Sequence, residues 1–247
     1  FSRRLSGNVD VYLADTKDLL SIVAEGALQN LRVLGPKNIG SLQSKGLDFN
    51  LNYQMFKKEN FTLDVNYNLS YNHLEITELF TDNIPQGGVG LGGYVQTHKV
   101  GLAPFSYWVY QQVYDSTGKP IEGVYVDRNG DGKINTDDKY LYKSTTPDAT
   151  FGFSTNFRYK NWDLSTTLRA VIGNYVYNNF ASQSNVQNIA TNDYIQNISS
   201  VAANYGFKNV QYWSDIFVED ASFLRMDNLT LGYTFKDIFA EGSSLRI

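Results

Sequence analysis

The chain has 247 residues, with 21 Lys+Arg against 25 Asp+Glu and a formal net charge of −4. That mildly acidic balance argues against nucleic acid as a partner, because nucleic-acid binders normally carry a concentrated basic face. Charged residues make up only 19%, against roughly 25% in an average soluble domain, while aromatics reach 15% with 18 Tyr and 15 Phe, a composition that predicts an all-β protein whose surface does not all face water.

In chain order, the first element is a strand in which Leu5, Val9, Val11 and Leu13 alternate with Ser6, Asn8 and Asp10. The interval 14–38 has no steady period and reads as a long loop. Leu47, Phe49, Leu51, Tyr53 and Met55 then alternate with Asp48, Asn50, Asn52 and Gln54. Lys57-Lys58-Glu59-Asn60 is a short polar turn. Phe61, Leu63, Val65, Tyr67, Leu69 and Tyr71 alternate with Thr62, Asp64, Asn66, Asn68 and Ser70, which completes an antiparallel hairpin. A second long interval, 72–103, follows. Residues 105–114 and 121–126 read as one hairpin around Asp115-Ser116-Thr117-Gly118. Phe151, Phe153, Phe157 and Tyr159, a turn at Lys160-Asn161, and Trp162, Leu164, Leu168 and Ala170 repeat the alternating design. After a third long interval, 174–221, Leu229, Leu231, Tyr233 and Phe235 mark another strand, and Ser244-Leu245-Arg246-Ile247 looks like the start of one more.

No stretch approaches the roughly 20 apolar residues of a membrane-spanning helix. A transmembrane β-barrel escapes that test, because its strands alternate. Clean strands of about 9–11 residues suit a tilted bilayer crossing, whereas strands in soluble sheets usually run about 5–6. Tyr53, Phe61, Tyr71, Tyr159 and Trp162 are expected at strand ends, as interfacial girdles. Short turns at one end and long intervals at the other are how such barrels are built. Parity then requires an even number of wall crossings, or none, within 100–148. Phe1-Ser2-Arg3-Arg4 shows neither an initiator Met nor a signal peptide, so the chain is expected to be a piece of a longer one.

One motif carries chemistry. Asp127-Arg128-Asn129-Gly130-Asp131-Gly132-Lys133-Ile134-Asn135-Thr136-Asp137-Asp138 fits a calcium loop of the EF-hand type. Asp127, Asn129 and Asp131 stand at positions 1, 3 and 5, Gly132 permits the turn, Lys133 offers its carbonyl and Asn135 stands at position 9. Asp138 takes position 12, where Glu is usual; being one methylene shorter, it closes the loop tighter or drops a ligand. The expected ion is Ca²⁺, with Mg²⁺ as the alternative. The flanks, 124–126 and 139–142, read as strands, so the ion would be structural, and the competing reading is a metal-free turn. With no Cys, and only His73 and His98, a thiolate site or a Ser-His-Asp triad is not expected. Gly87-Gly88-Val89-Gly90-Leu91-Gly92-Gly93 lacks the GK[ST] of a phosphate loop, Asp215, Glu219 and Asp220 read as solvated loop charges, and the sequon Asn60-Phe61-Thr62 opens a strand.

Taken together, the calcium-type run, Pro147-Asp148-Ala-Thr-Phe-Gly-Phe153, Tyr159-Lys-Asn-Trp-Asp-Leu164, Arg4-Leu-Ser-Gly-Asn-Val-Asp-Val-Tyr12, Thr16-Lys-Asp-Leu-Leu20, Gly46-Leu-Asp-Phe49 and the stretch Ala221-Ser-Phe-Leu-Arg-Met-Asp-Asn-Leu-Thr-Leu-Gly-Tyr-Thr-Phe235 resemble the SusC/RagA family of TonB-linked outer-membrane transporters of Bacteroidota. The resemblance implies part of a barrel of about 22 strands. It places 1–247 in a single barrel domain, without the plug domain or the last strands. It further implies an outer-membrane location in a Gram-negative bacterium, contact with outer-membrane lipid, a SusD-like lipoprotein lid, energy from TonB through the missing N-terminal region, an oligosaccharide or peptide ligand, and no enzymatic chemistry. Asp48, Asn50, Asn52, Asp64, Asn66 and Asn68 would then face the lumen. Tyr94, Trp108, Tyr205, Tyr212 and Trp213 are candidate stacking residues for ligand, or else loop packing. The alternative is a secreted, calcium-stabilised carbohydrate-binding or adhesive β-protein. That reading requires the apolar rows to pack on a second sheet.

Overall fold

A computed structural model describes residues 4–24, 34–89, 93–183, 199–209 and 211–247; residues 1–3 and the central 90–92 of the glycine run lie outside them. The strands are β1 (Leu5–Ala24), β2 (Leu34–Lys58), β3 (Phe61–Leu79), β4 (Ile84–Val89), β5 (Gly93–His98), β6 (Ser106–Val109), β7 (Gln112–Tyr114), β8 (Pro120–Tyr125), β9 (Tyr140–Leu141), β10 (Ala149–Tyr159), β11 (Trp162–Ile172) and β12 (Tyr175–Tyr177). Two short helices, α1 (Asn179–Gln183) and α2 (Ser200–Tyr205), precede β13 (Val218–Asp220), β14 (Phe223–Lys236) and β15 (Ser244–Arg246). Seven strands form one antiparallel wall in the order β1-β2-β3-β10-β11-β14-β15, which is open at both edges. The remaining strands form small sheets at the long-loop end.

The alternating rows set the wall register. Leu63 pairs with Phe157, Phe157 with Leu164 and Leu164 with Leu231, so apolar residues from four strands share one ladder row. Two-residue turns join β2 to β3 and β10 to β11. At Lys160 the turn needs a left-handed residue, with φ +54. β3 pairs directly with β10, so the segment between them makes no wall crossing.

Three expectations are corrected. First, 14–38 and 72–103 are not wholly loops: β1 runs on to Ala24, β2 begins at Leu34 and β3 continues to Leu79. Their ladders persist, but bulges between Thr16 and Leu19 and between Ser41 and Leu42 shift the phase, and Asp18 takes φ +55 in the first. A phase shift moves side chains to the other face, so the period is lost while the backbone pairing survives. Second, 105–114 and 121–126 are not one hairpin. β6 pairs with β5 and β9, and only β7 pairs with β8. Third, Tyr53 and Tyr71 do not end their strands: Tyr53 lies opposite Val65, inside the apolar band, and Tyr71 lies between Leu47 and Ala149 while β3 runs on to Leu79. The aromatic end row is Phe61, Tyr159, Trp162 and Tyr233, all in register.

Among the described residues the apolar rows of the wall pack on no second sheet. Val11 is 76% exposed, Leu13 63%, Leu224 74% and Leu231 63%. Each would gain about 1.5–3 kcal/mol from leaving water. The extensive contacts of every wall strand are with its ladder neighbours, and no second sheet packs on the apolar face among the described residues, so the sandwich needed for a secreted reading is not there. Two hydroxyls on the apolar face are satisfied locally: Thr155 donates to the Asp64 carbonyl at 3.0 Å and Thr166 to the Asn228 carbonyl at 2.9 Å. That is what a solvent without hydrogen bonds demands. From Phe61 to Tyr71 the strand rises about 34 Å, and a tilt near 45° leaves about 24 Å, close to the roughly 25 Å band of outer-membrane barrels. The buried apolar core lies elsewhere, in the loop layer, where Val95, Tyr107, Val109 and Val218 cluster with Tyr140, Tyr177 and Trp213 around them.

Candidate functional site: a loop layer organised around a lysine

The loop layer grows from the long-loop ends of the wall, and a half-buried lysine stands at its centre. The Lys139 ammonium lies 4.9 Å from the Trp108 ring, 5.3 Å from Tyr110 and 5.6 Å from Trp213, and donates to the Tyr94 carbonyl at 2.5 Å. Three aromatic faces stabilise the cation by about 0.5–2 kcal/mol each, more where water is excluded. Burial pulls its pKa down to about 8. Trp213 holds its place through its indole N–H, which donates to the Val89 carbonyl at 2.9 Å. Gly93 makes room for it, since a Cβ there would lie 2.1 Å from the indole. Gly93 against Trp213 and Gly87 against the Gln96 side chain therefore serve close packing.

A polar network braces the same segment. Asp215 accepts from the Tyr140 hydroxyl at 2.7 Å and from the Gln112 amide at 3.1 Å. Fully buried Ser214 donates to the Gln112 side chain at 3.0 Å. Burial, followed by the Asp215 carboxylate, pushes the Tyr140 hydroxyl well above the ordinary tyrosine range. Glu219 accepts from Asn178 at 2.8 Å and Asp220 from the Ser222 amide at 2.8 Å, so the three loop carboxylates serve separate local bonds and do not pair for acid–base chemistry.

Of the candidate stacking residues, Trp108 and Trp213 bring their rings to Lys139, and Tyr94 brings only its backbone carbonyl. Tyr212 lies tilted beside Trp213 with centroids 5.8 Å apart, and Tyr205 packs on Phe207 at 5.4 Å. Sequence reasoning missed Lys139, Tyr110, Gln112 and the Asp215–Tyr140 bond, for which no local spacing gives a signal. It also missed Glu122, which accepts the Lys208 amide at 3.1 Å and the Asn209 amide at 2.6 Å and so ties the β7–β8 hairpin to the segment after α2. Burial alone would raise the Glu122 carboxyl; the two amides, the Asn209 side chain and the Lys208 charge outweigh it and hold the group below the ordinary glutamate range.

The 127–138 loop curls as its motif suggests. Gly130 and Gly132 take φ +74 and +78. Asp127 accepts the Gly130 amide at 2.7 Å on one oxygen and the Gly132 amide at 2.8 Å on the other. Asn129 accepts the Asp131 amide at 3.0 Å, and Asp131 accepts the Lys133 amide at 2.8 Å. Asn135 caps the 3₁₀ turn Thr136–Asp138 by accepting the Asp137 amide at 2.7 Å. Asp138, 0% exposed, accepts the amides of Asn135 at 2.9 Å and Arg128 at 2.8 Å, with Asn129 at 3.4 Å, and these hold its carboxyl below the usual range. Asp127 and Asp131 keep free lone pairs, and every available donor is a hard oxygen, which fits Ca²⁺ or Mg²⁺ better than a soft metal. Asp138 is engaged by backbone amides, and among the described residues no three of His, Cys, Asp or Glu gather as a metal cluster.

Below the layer, a cavity of about 520 Å³ opens between loops and wall, lined by Asn72, Ser106, Tyr142, Lys143, Asp148 and Tyr175 among others.

Together, a one-sided apolar wall with short turns at one end and a packed loop layer at the other define a section of a transmembrane β-barrel. The solved RagAB peptide transporter matches this fold with a TM-score of 0.73 and 23% identity, over 98% of this chain and 28% of that one. TonB-dependent receptor SusC of Bacteroides thetaiotaomicron is 42% identical over 250 residues, covering 96% of this chain and 25% of the relative. TonB-dependent receptor P26 of Formosa agariphila is 32% identical over 197 residues, covering 72% of this chain and 19% of the relative. No protein-family model matches the chain. The chain is a homologue of SusC-type TonB-dependent receptors, and it spans about a quarter of the length of the SusC it matches.

Proposed function

We propose that this chain forms part of the barrel of a TonB-dependent nutrient importer in the outer membrane of a Gram-negative bacterium. The observation that carries the reading is the apolar face, on which no second sheet packs among the described residues and where the Thr155 and Thr166 hydroxyls are bonded back to the wall, in a SusC homologue. The chemistry is passage, not bond-breaking, in keeping with loop carboxylates that each serve a local bond. The loop layer belongs at the outer surface, where it meets an oligosaccharide or peptide and a SusD-like lipoprotein that closes over it. TonB acts on another part of the receptor. A Ca²⁺ ion, or Mg²⁺ in its place, sits in the 127–138 loop on Asp127, Asn129, Asp131 and the Lys133 carbonyl, with Asn135 and Asp138 closing the ring. Its contribution is to neutralise neighbouring carboxylates and stiffen the loop.

Deletion of the gene for the intact receptor tests the reading. Growth should be lost on one class of oligosaccharide or on peptides as sole nutrient, and affinity purification of the receptor should bring down an outer-membrane lipoprotein. Unchanged growth on every such substrate, with the receptor found outside the membrane, would sink the proposal.

A further inference from the structure

The cavity of about 520 Å³ below the loop layer is one of a pair. A second, of about 360 Å³, shares Leu74 and Thr146 with it, and both lie where the long-loop ends of β2 and β3 meet the segments 98–106 and 141–148. The two differ in chemistry. The smaller is walled by Leu42, Leu74, Ile76, Leu79 and Phe105. Its Glu78 accepts from the Ser41 hydroxyl at 2.8 Å, and its His98 packs edge-on to Phe105 with centroids 4.5 Å apart. The larger holds one charge of each sign, Lys143 and Asp148. The Lys143 ammonium lies 4.8 Å from the Tyr175 ring and 5.5 Å from that of Tyr142. Its charge also reaches Asp220, whose carboxyl is held below the usual range first by its bonds to Ser222. Asp148 occupies the room left by Gly173, at φ +84, where a Cβ would collide with the carboxylate. His73, also in the lining, faces Glu75 at 3.7 Å. Among the described residues neither Lys143 nor Asp148 has an opposite charge within ion-pair distance.

We propose that the paired cavities bind a short peptide with free termini and an apolar side chain, which makes peptide rather than oligosaccharide the cargo class. Lys143 takes the terminal carboxylate, Asp148 the terminal ammonium, and the smaller cavity the apolar side chain. Charge complementarity selects the zwitterion: a neutral oligosaccharide would cover both charges and pair neither, which costs affinity. Lys143 and Asp148 stand five positions apart, at most about 17 Å along the chain. An extended tripeptide is about 10 Å long, so one ligand can reach both. An apolar pocket beside a few convergent polar groups is the usual form of a small-ligand site. A sugar ring would need an open aromatic face, and the two rings nearest the charges, Tyr142 and Tyr175, already carry the Lys143 ammonium. The inference rests on the importer reading above and narrows its ligand.

Equilibrium dialysis of the intact receptor, purified from outer membranes with any lipoprotein that accompanies it, tests the site. The probe is a mixture of tripeptides with leucine, phenylalanine or serine at each position, read by mass spectrometry of the retained ligand. Tripeptides bearing leucine or phenylalanine should be retained, and the same mixture with acetylated amino and amidated carboxyl termini should be retained at least tenfold less. Lys143→Met and Asp148→Asn, which keep side-chain length, should each lower retention about tenfold while the heat-dependent gel shift of a folded barrel persists. Equal retention of free and blocked peptides, retention unchanged in both variants, or retention of maltotriose to maltoheptaose but of no peptide would each overturn the site, as would no retention of any probe by a receptor that shows the gel shift. Absence of the gel shift in the unmodified receptor would instead overturn the importer reading, and the peptide site with it.

Discussion

Replacing Leu168 with Arg puts the assignment of the apolar face under direct strain. Leu168 stands in register with Phe153, which pairs with Tyr67, midway between the aromatic row at Phe61 and the far end of the band at Tyr71. In lipid, an arginine at that depth costs about 2–4 kcal/mol. Each 1.4 kcal/mol is tenfold, so the folding equilibrium should move by about thirty- to several-hundred-fold. On a water-facing sheet the same change would cost about 0.5 kcal/mol or less. The neighbouring residue supplies the control: Thr167 points to the polar face, and Thr167→Arg should be near neutral. The assay is the fraction of intact receptor recovered in outer membranes in heat-modifiable form, with both variants expressed at matched levels. If Leu168→Arg folds as well as Thr167→Arg, the apolar rows do not meet lipid and the barrel assignment fails.

Further perturbations address the loop layer. Lys139→Met keeps the length of the side chain but removes the charge; it should weaken the aromatic cluster by about 1–2 kcal/mol and change the fluorescence of Trp108 and Trp213, and an unchanged emission spectrum with unchanged protease resistance would refute the hub. Glu122 is held below its ordinary range, so its stabilisation is fully present above the unfolded pKa near 4.5 and is lost as pH falls below that value. Hydrogen exchange at Lys208 and Asn209 should therefore accelerate on acidification relative to the intrinsic rate, and the change should vanish in Glu122→Gln. Adding Ca²⁺ to chelated receptor should protect 127–138 from proteolysis, and Asp127→Ala should remove that protection without disturbing the wall; equal cleavage with and without the ion would count against the cation.

The parts of the fold legible in the sequence are those in which a strict rule of alternation holds. Rows 47–55, 61–71, 151–159 and 162–170 alternate because one face of the wall is apolar and the other polar. Where β1, β2 and β3 extend beyond the band, that rule lapses, and the bulges at Thr16–Leu19 and Ser41–Leu42 shift the phase, so strands that are continuous in space read as loop. The 127–138 loop is legible because its donors are neighbours in sequence, although the engagement of Asp138 by three backbone amides is not. Tyr94, Trp108 and Trp213 stand out as aromatics. Their convergence does not, because residues 94, 108, 139 and 213 meet only through tertiary packing around a lysine that no motif marks.

The direct pairing of β3 with β10 also bears on how such receptors diversify. Tyr71 and Ala149 face each other across one ladder step, and the chain between them departs from and returns to adjacent positions. The stretch between β3 and β10 can thus change length without changing the order of the wall strands, and what it must keep is the core it shares with Trp213 and Val218.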